Sequence, residues 1–181
     1  MRRPVVGVMG SSAVAHRERA EPLGRWLAEI GVHLLTGGGG ASMEAVCRAF
    51  TETPGRKGLA IGVLPGLPNA EAPRPSPPTG YPNTHVDLAI YTHLAALGAY
   101  GSDPLSRNHI NVLSSDVVIA LPGSAGTASE VELALHYGKP VIAFVGSPEE
   151  IEGLPPRTRV EPDFGRVQEF VRQHLPALPV A

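Results

Sequence analysis

The chain is poor in cysteine, lysine, aromatic residues and net charge, and each shortage excludes something. The single cysteine, Cys47, excludes an intramolecular disulfide and falls short of a cysteine-based zinc site. The seven histidines include no HExxH and no pair spaced i, i+4, so no protein-held metal is expected. Lysine occurs only at Lys57 and Lys139, both in turns away from the expected ligand edge, which leaves a pyridoxal-phosphate Schiff base without a well-placed amine. The formal net charge of −2 supplies no bulk field toward nucleic acid or anionic lipid, so neither is expected as a partner. No apolar run approaches the roughly 20 residues of a membrane span. Met1-Arg2-Arg3-Pro4 runs straight into Val5-Val6-Gly7-Val8 with no cleavage pattern, giving the expectation of a soluble cytoplasmic protein.

What remains is ordinary globular material. At 181 residues, 43% hydrophobic, one domain spanning 1–181 is expected. Short β-branched runs mark strands at Pro4–Gly10, Val32–Thr36, Gly58–Leu64, Val86–Tyr91, Asp116–Leu121 and Val141–Val145. Between them lie helical patterns at Val14–Ile30, Ala41–Thr53, Ser106–Leu113, Ala125–Tyr137 and Phe164–Leu175. The alternation predicts right-handed crossovers and an α/β, Rossmann-like, doubly wound parallel sheet of six or seven strands. Seven prolines in the 19 residues Pro65–Asn83 remove backbone donors, so this stretch is expected as a surface loop. The stretch Ala89–Tyr100 also looks like an apolar, Ala-rich helical face, too greasy for exposure.

Ligands of such sheets sit beyond the carboxyl ends of the strands. Three small-residue turns fall there, each before a helix: Gly10-Ser11-Ser12, Gly37-Gly38-Gly39-Gly40, and Pro122-Gly123-Ser124-Ala125-Gly126-Thr127. Glycine lets backbone approach a ligand, and a helix N-terminus offers free N–H groups to an anion. Three such turns together predict a phosphate site. The common fingerprints are absent: there is no GxxxxGK[ST], and no acidic residue ends the second strand to hold a ribose. A Walker-type NTPase and a dinucleotide dehydrogenase are therefore disfavoured.

These turns, with Met43, Arg107-Asn108 and Pro122–Glu130, resemble the LOG superfamily over about Val5 to Val145. That superfamily includes cytokinin-activating nucleoside 5′-monophosphate phosphoribohydrolases and the molybdenum cofactor carrier proteins. The carrier branch is the nearer likeness, through Gly40-Ala41-Ser42-Met43-Glu44-Ala45-Val46 and Arg107-Asn108. The resemblance implies a nucleotide-like phosphate ligand, a homodimer or higher homo-oligomer, and no required cofactor. It leaves two activities open. One is hydrolysis of a nucleoside 5′-monophosphate to free base and ribose 5-phosphate. The other is non-catalytic carriage of a phosphorylated ligand, with a molybdopterin-type cofactor as the cargo.

Under the resemblance Glu130 and Arg107 are the catalytic candidates. Glu130 would stabilise positive charge on the sugar or activate water, and Arg107 would bind phosphate. Gly123, Ser124, Ala125, Gly126 and Thr127 would cradle the phosphate, with Gly10, Ser11, Ser12, Gly37, Gly38, Gly39 and Asn108 completing the site. Two positions depart from the hydrolase pattern. Ser124 stands for a glycine, which would cost about 1 kcal/mol if the turn required positive φ. Asn108 stands for a lysine, which removes a cation and bears on hydrolysis more than on binding. Met43 and Cys47 read as core residues, and His109 as a residue near the pocket without an assigned role.

Overall fold

A computed structural model of the chain describes residues 2–67, 73 and 75–177. Seven strands form one all-parallel sheet: β1 (Val5–Met9), β2 (His33–Thr36), β3 (Ala60–Leu64), β4 (Leu88–Tyr91), β5 (Val117–Ala120), β6 (Val141–Ala143) and β7 (Arg159–Val160). Their spatial order is β4-β3-β2-β1-β5-β6-β7. The central strands carry Val6, Val8, Leu34, Val118 and Ile119, all fully buried. Continuous burial of this kind is what helices on both faces of a parallel sheet demand.

One face is covered by α1 (Arg17–Glu29), α2 (Ser42–Thr51) and α5 (Phe164–His174); the other by α3 (Asn108–Ser114) and α4 (Ala125–His136). The α1 pattern buries Leu23, Trp26 and Leu27 as its spacing predicts. Its start lies three residues later than the apolar pattern suggests, because the Ser11 hydroxyl accepts from the Ala13 and Val14 amides and holds that stretch as a turn. The α5 start is fixed by Asp163, whose carboxylate accepts from the Arg166 amide at 2.9 Å.

Two expectations meet the structure differently. Ala89–Tyr100 is not a helical face: β4 ends at Tyr91, and only Gly98–Tyr100 make one 3-10 turn. Pairing with β3 captures the β-branched and aromatic residues first, from Ile61↔Leu88 to Leu64↔Tyr91. Of the proline-rich stretch, 68–72 and 74 lie outside the described residues. The described remainder is largely exposed or half-buried, as expected of a surface loop, with an antiparallel bridge between Leu67 and Ser76 and a buried end at Asn83.

Candidate functional site

β1 is the strand from which the chain winds outward in both directions, to β2 on one side and β5 on the other. A crevice opens at such a reversal, beyond the carboxyl ends of the two strands. The turns leaving β1 and β5 are stitched together there. The Leu121 amide donates to the Met9 carbonyl at 2.7 Å, and the Ser11 amide to the Pro122 carbonyl at 3.2 Å. The Ser42 amide at the head of α2 donates in turn to the Ser11 carbonyl.

A cavity of about 130 Å³ lies at this point. Arg107, Asn108 and Glu130 line it, with Gly10, Ser12, Ser124, Gly126 and Thr127. Eight of the residues singled out from sequence thus surround one space. The rest take supporting places. Ser11 ties the two turns together. The Gly123 amide is already donated to the Glu150 carbonyl at 2.9 Å, so it is not free for a phosphate as expected. That bond anchors the β5–α4 turn to the segment leading into β7. Thr127 closes back on the Ser124 carbonyl at 2.9 Å, which leaves the amides of Ala125 and Gly126 as the open donors of the first turn of α4. Ser124 sits extended, at φ −111°, so the serine there carries no backbone strain.

Gly37 stands behind the arginine. A β-carbon there would lie 2.4 Å from Nη2 of Arg107, so only glycine leaves room for the guanidinium. Arg107 reaches across to Glu130, Nη1 to Oε1 at 3.3 Å, and both residues are buried. Asn111, one helical turn beyond Arg107 on α3, donates Nδ2 to the same carboxylate oxygen at 2.8 Å. Burial pushes the Glu130 carboxyl above the usual carboxylate range, and the Arg107 charge with the two hydrogen bonds offsets only part of this. Nε of Arg107 and Oδ1 of Asn111 are buried without a hydrogen-bond partner, so the cluster keeps both a donor and an acceptor in reserve. Asn108 donates Nδ2 to the Ser129 hydroxyl at 3.1 Å, which ties it to α4.

Sequence reasoning passed over four residues here. Asn111 carried a usable signal, its i+4 spacing from Arg107. Tyr81, Leu97 and Gly98 also line the cavity; Tyr81 comes from the proline-rich stretch, and Leu97 and Gly98 from the stretch expected as a helical face. Met43 is buried as expected and lines the cavity as well. His109 turns away, its Nδ1 2.7 Å from the Tyr137 hydroxyl. Cys47 is a core thiol whose pKa burial pushes up to about 11. Lys139 donates to the carbonyls of Leu113 and Ser115 at 2.9 and 2.8 Å, closing the end of α3.

The family model described as LDcluster4, the SLOG cluster4 family, matches residues 3–163. An uncharacterised protein of Archaeoglobus fulgidus is 30% identical over 151 residues, 82% of this chain and 84% of its own. The structure resembles the molybdenum cofactor binding protein of Rippkaea orientalis with a TM-score of 0.62 and 34% identity, covering 96% of this chain and 86% of that one. It resembles the molybdenum cofactor carrier protein of Chlamydomonas reinhardtii with a TM-score of 0.65 and 30% identity, covering 95% and 98%. A single-stranded-DNA-binding DNA processing protein A from Helicobacter pylori, 16% identical with a TM-score of 0.67 over 96% of this chain and 82% of its own, shares the fold.

Proposed function

The chain belongs to the SLOG cluster4 family, and on that premise we propose that it binds a small phosphorylated, nucleotide-like ligand of the molybdopterin type and carries it without cleaving it. The phosphate sits between the Arg107 guanidinium and the open amides at the head of α4, where a fixed cation and a helix N-terminus act on one anion. The likeness to the Rippkaea and Chlamydomonas proteins supports the cargo class.

One observation carries carriage over hydrolysis. Oε1 of Glu130 is already held by Arg107 and Asn111. A carboxylate that is to stabilise a developing oxocarbenium ion must face the sugar, and this oxygen is turned onto protein partners instead. The departure at Asn108 points the same way, since no lysine cation stands beside Arg107 there. The second reading, hydrolysis of a nucleoside 5′-monophosphate, is favoured by Glu130 and Arg107 opening on the same cavity as the glycine turns. Incubating the protein with AMP and assaying free adenine separates the two. Carriage predicts binding with no base released; release in proportion to protein concentration overturns it.

A further inference from the structure

The cavity between Arg107 and α4 is too small for a whole nucleotide. Ligand pockets for small molecules start at about 300 Å³, and this one measures about 130 Å³. It has room for the phosphate end. A second hollow of about 420 Å³ lies beside it, and Ser12 and Tyr81 belong to both. Tyr81 therefore stands at the boundary between the two spaces.

Its position is fixed from below. The phenol end lies against Gly39, where a β-carbon would fall 2.6 Å from Cζ. Two residues on, Asn83 fastens the same segment to the glycine turn. Its backbone amide donates to the Gly38 carbonyl and its side-chain amide to the Gly39 carbonyl, both at 2.8 Å. Tyr81 is half-buried and lines both spaces. Glu44, Thr79 and Thr84 also line the hollow and bring a carboxylate and two hydroxyls to its wall. An aromatic surface beside acceptors of this kind suits a flat nitrogen heterocycle, whose face stacks while its edge N–H groups find oxygen.

We propose that Tyr81 is the stacking platform for the planar ring of the ligand, so that the site takes a phosphate in the inner cavity and a nitrogen heterocycle in the outer hollow. This rests on the phosphate-binding reading above and extends it to the other end of the ligand. None of the sequence motifs at the strand ends assigns a role to Tyr81.

The test is calorimetric titration of the protein and of Tyr81→Leu and Tyr81→Phe with two probes, AMP and ribose 5-phosphate, the second carrying a hydroxyl where the first carries its base. The protein binds AMP more tightly than ribose 5-phosphate. Tyr81→Leu weakens AMP by about tenfold, the scale of losing one base–aromatic stack, and leaves ribose 5-phosphate within about twofold. Tyr81→Phe keeps both affinities, because it keeps the ring. Equal affinities for the two probes in the unaltered protein overturn the stacking role and leave phosphate binding standing. Parallel losses of both probes in Tyr81→Leu, or no loss of either, also overturn it. Binding of neither probe by the unaltered protein defeats the phosphate-site reading itself, and the stacking role with it.

Discussion

Arg107 and Glu130 meet across two helices at 3.3 Å, and both are more than nine-tenths buried. A pair so placed is not a stability device, since desolvating two charges consumes most of what their attraction returns. Breaking it by removing one partner is costly, because the other charge is left alone. The pair is better understood as a preset cation. Glu130 holds the guanidinium in one orientation at the cavity wall, with Asn111 holding Glu130 in turn.

Removing the cation is the first test of that view. Arg107→Ala is expected to weaken ribose 5-phosphate binding about 10- to 150-fold, corresponding to ~1.5–3 kcal/mol for a charged hydrogen bond. Arg107→Lys keeps the charge but not the fork, and it is expected to recover only part of the affinity. Isothermal titration reads both, and an unchanged affinity in Arg107→Ala removes Arg107 from the site.

Glu130→Gln separates charge from shape. With the carboxyl raised above its ordinary range, Glu130 loses its charge as pH falls through that raised value, and repulsion of a bound phosphate falls with it. Affinity for ribose 5-phosphate is therefore expected to rise on acidification in the unaltered protein. Part of that rise is expected to vanish in Glu130→Gln, while the contribution of the ligand's own second proton is common to both proteins. The same shift works on folding. Stability from Glu130 is greatest below the ordinary carboxylate range and declines as pH rises to the folded-state value.

Gly37→Ala tests the arginine without touching a ligand. The added methyl falls on the guanidinium, so Arg107 must leave its place. The variant is expected to lose about 1–3 kcal/mol of stability, the usual range for overpacking. Its ribose 5-phosphate affinity is expected to resemble that of Arg107→Ala. Retained affinity in Gly37→Ala shows that Arg107 has a second productive position.

A site remote from the cavity predicts acid sensitivity. Asp116 accepts from the Val5 amide at 2.8 Å and from Arg2 at 2.9 Å. Burial pushes its carboxyl up, but the hydrogen bonds from Arg2 and Val5 and the charges of Arg2 and Lys139 outweigh this, and it ends below its ordinary value. Its stabilisation is thus present above the ordinary carboxylate range and is lost as pH falls through the lowered value. Asp116→Asn is expected to cost up to about 1 kcal/mol at neutral pH in urea unfolding, and the gap should close in strong acid.

The sheet was legible in sequence because its strands are buried on both faces and carry uninterrupted apolar runs. The three turns around the cavity were legible because glycines and small residues cluster where strands end. β7, two residues long, is defined only by pairing to β6 and leaves no pattern of its own. Tyr81 was hidden for a different reason. It lies in a proline-rich stretch whose composition describes a loop, and its place against Gly39 depends on contacts 42 residues away in the chain. The engagement of the Gly123 amide by Glu150 was equally invisible, since a turn's amides look free until a distant carbonyl is seen beside them.

The crevice lies between β1 and β5, strands that follow one another in space but not in time. The Val5 amide and the Asp116 side chain that it meets are 111 residues apart in the chain. Closing a loop of that length carries a large entropic cost and is slow relative to local hairpins and helices. The Ser11 amide that closes on the Pro122 carbonyl likewise waits on a segment more than a hundred residues later in the chain. The crevice, with Arg107 and the head of α4 in place around it, is therefore complete only once that long-range pairing is made.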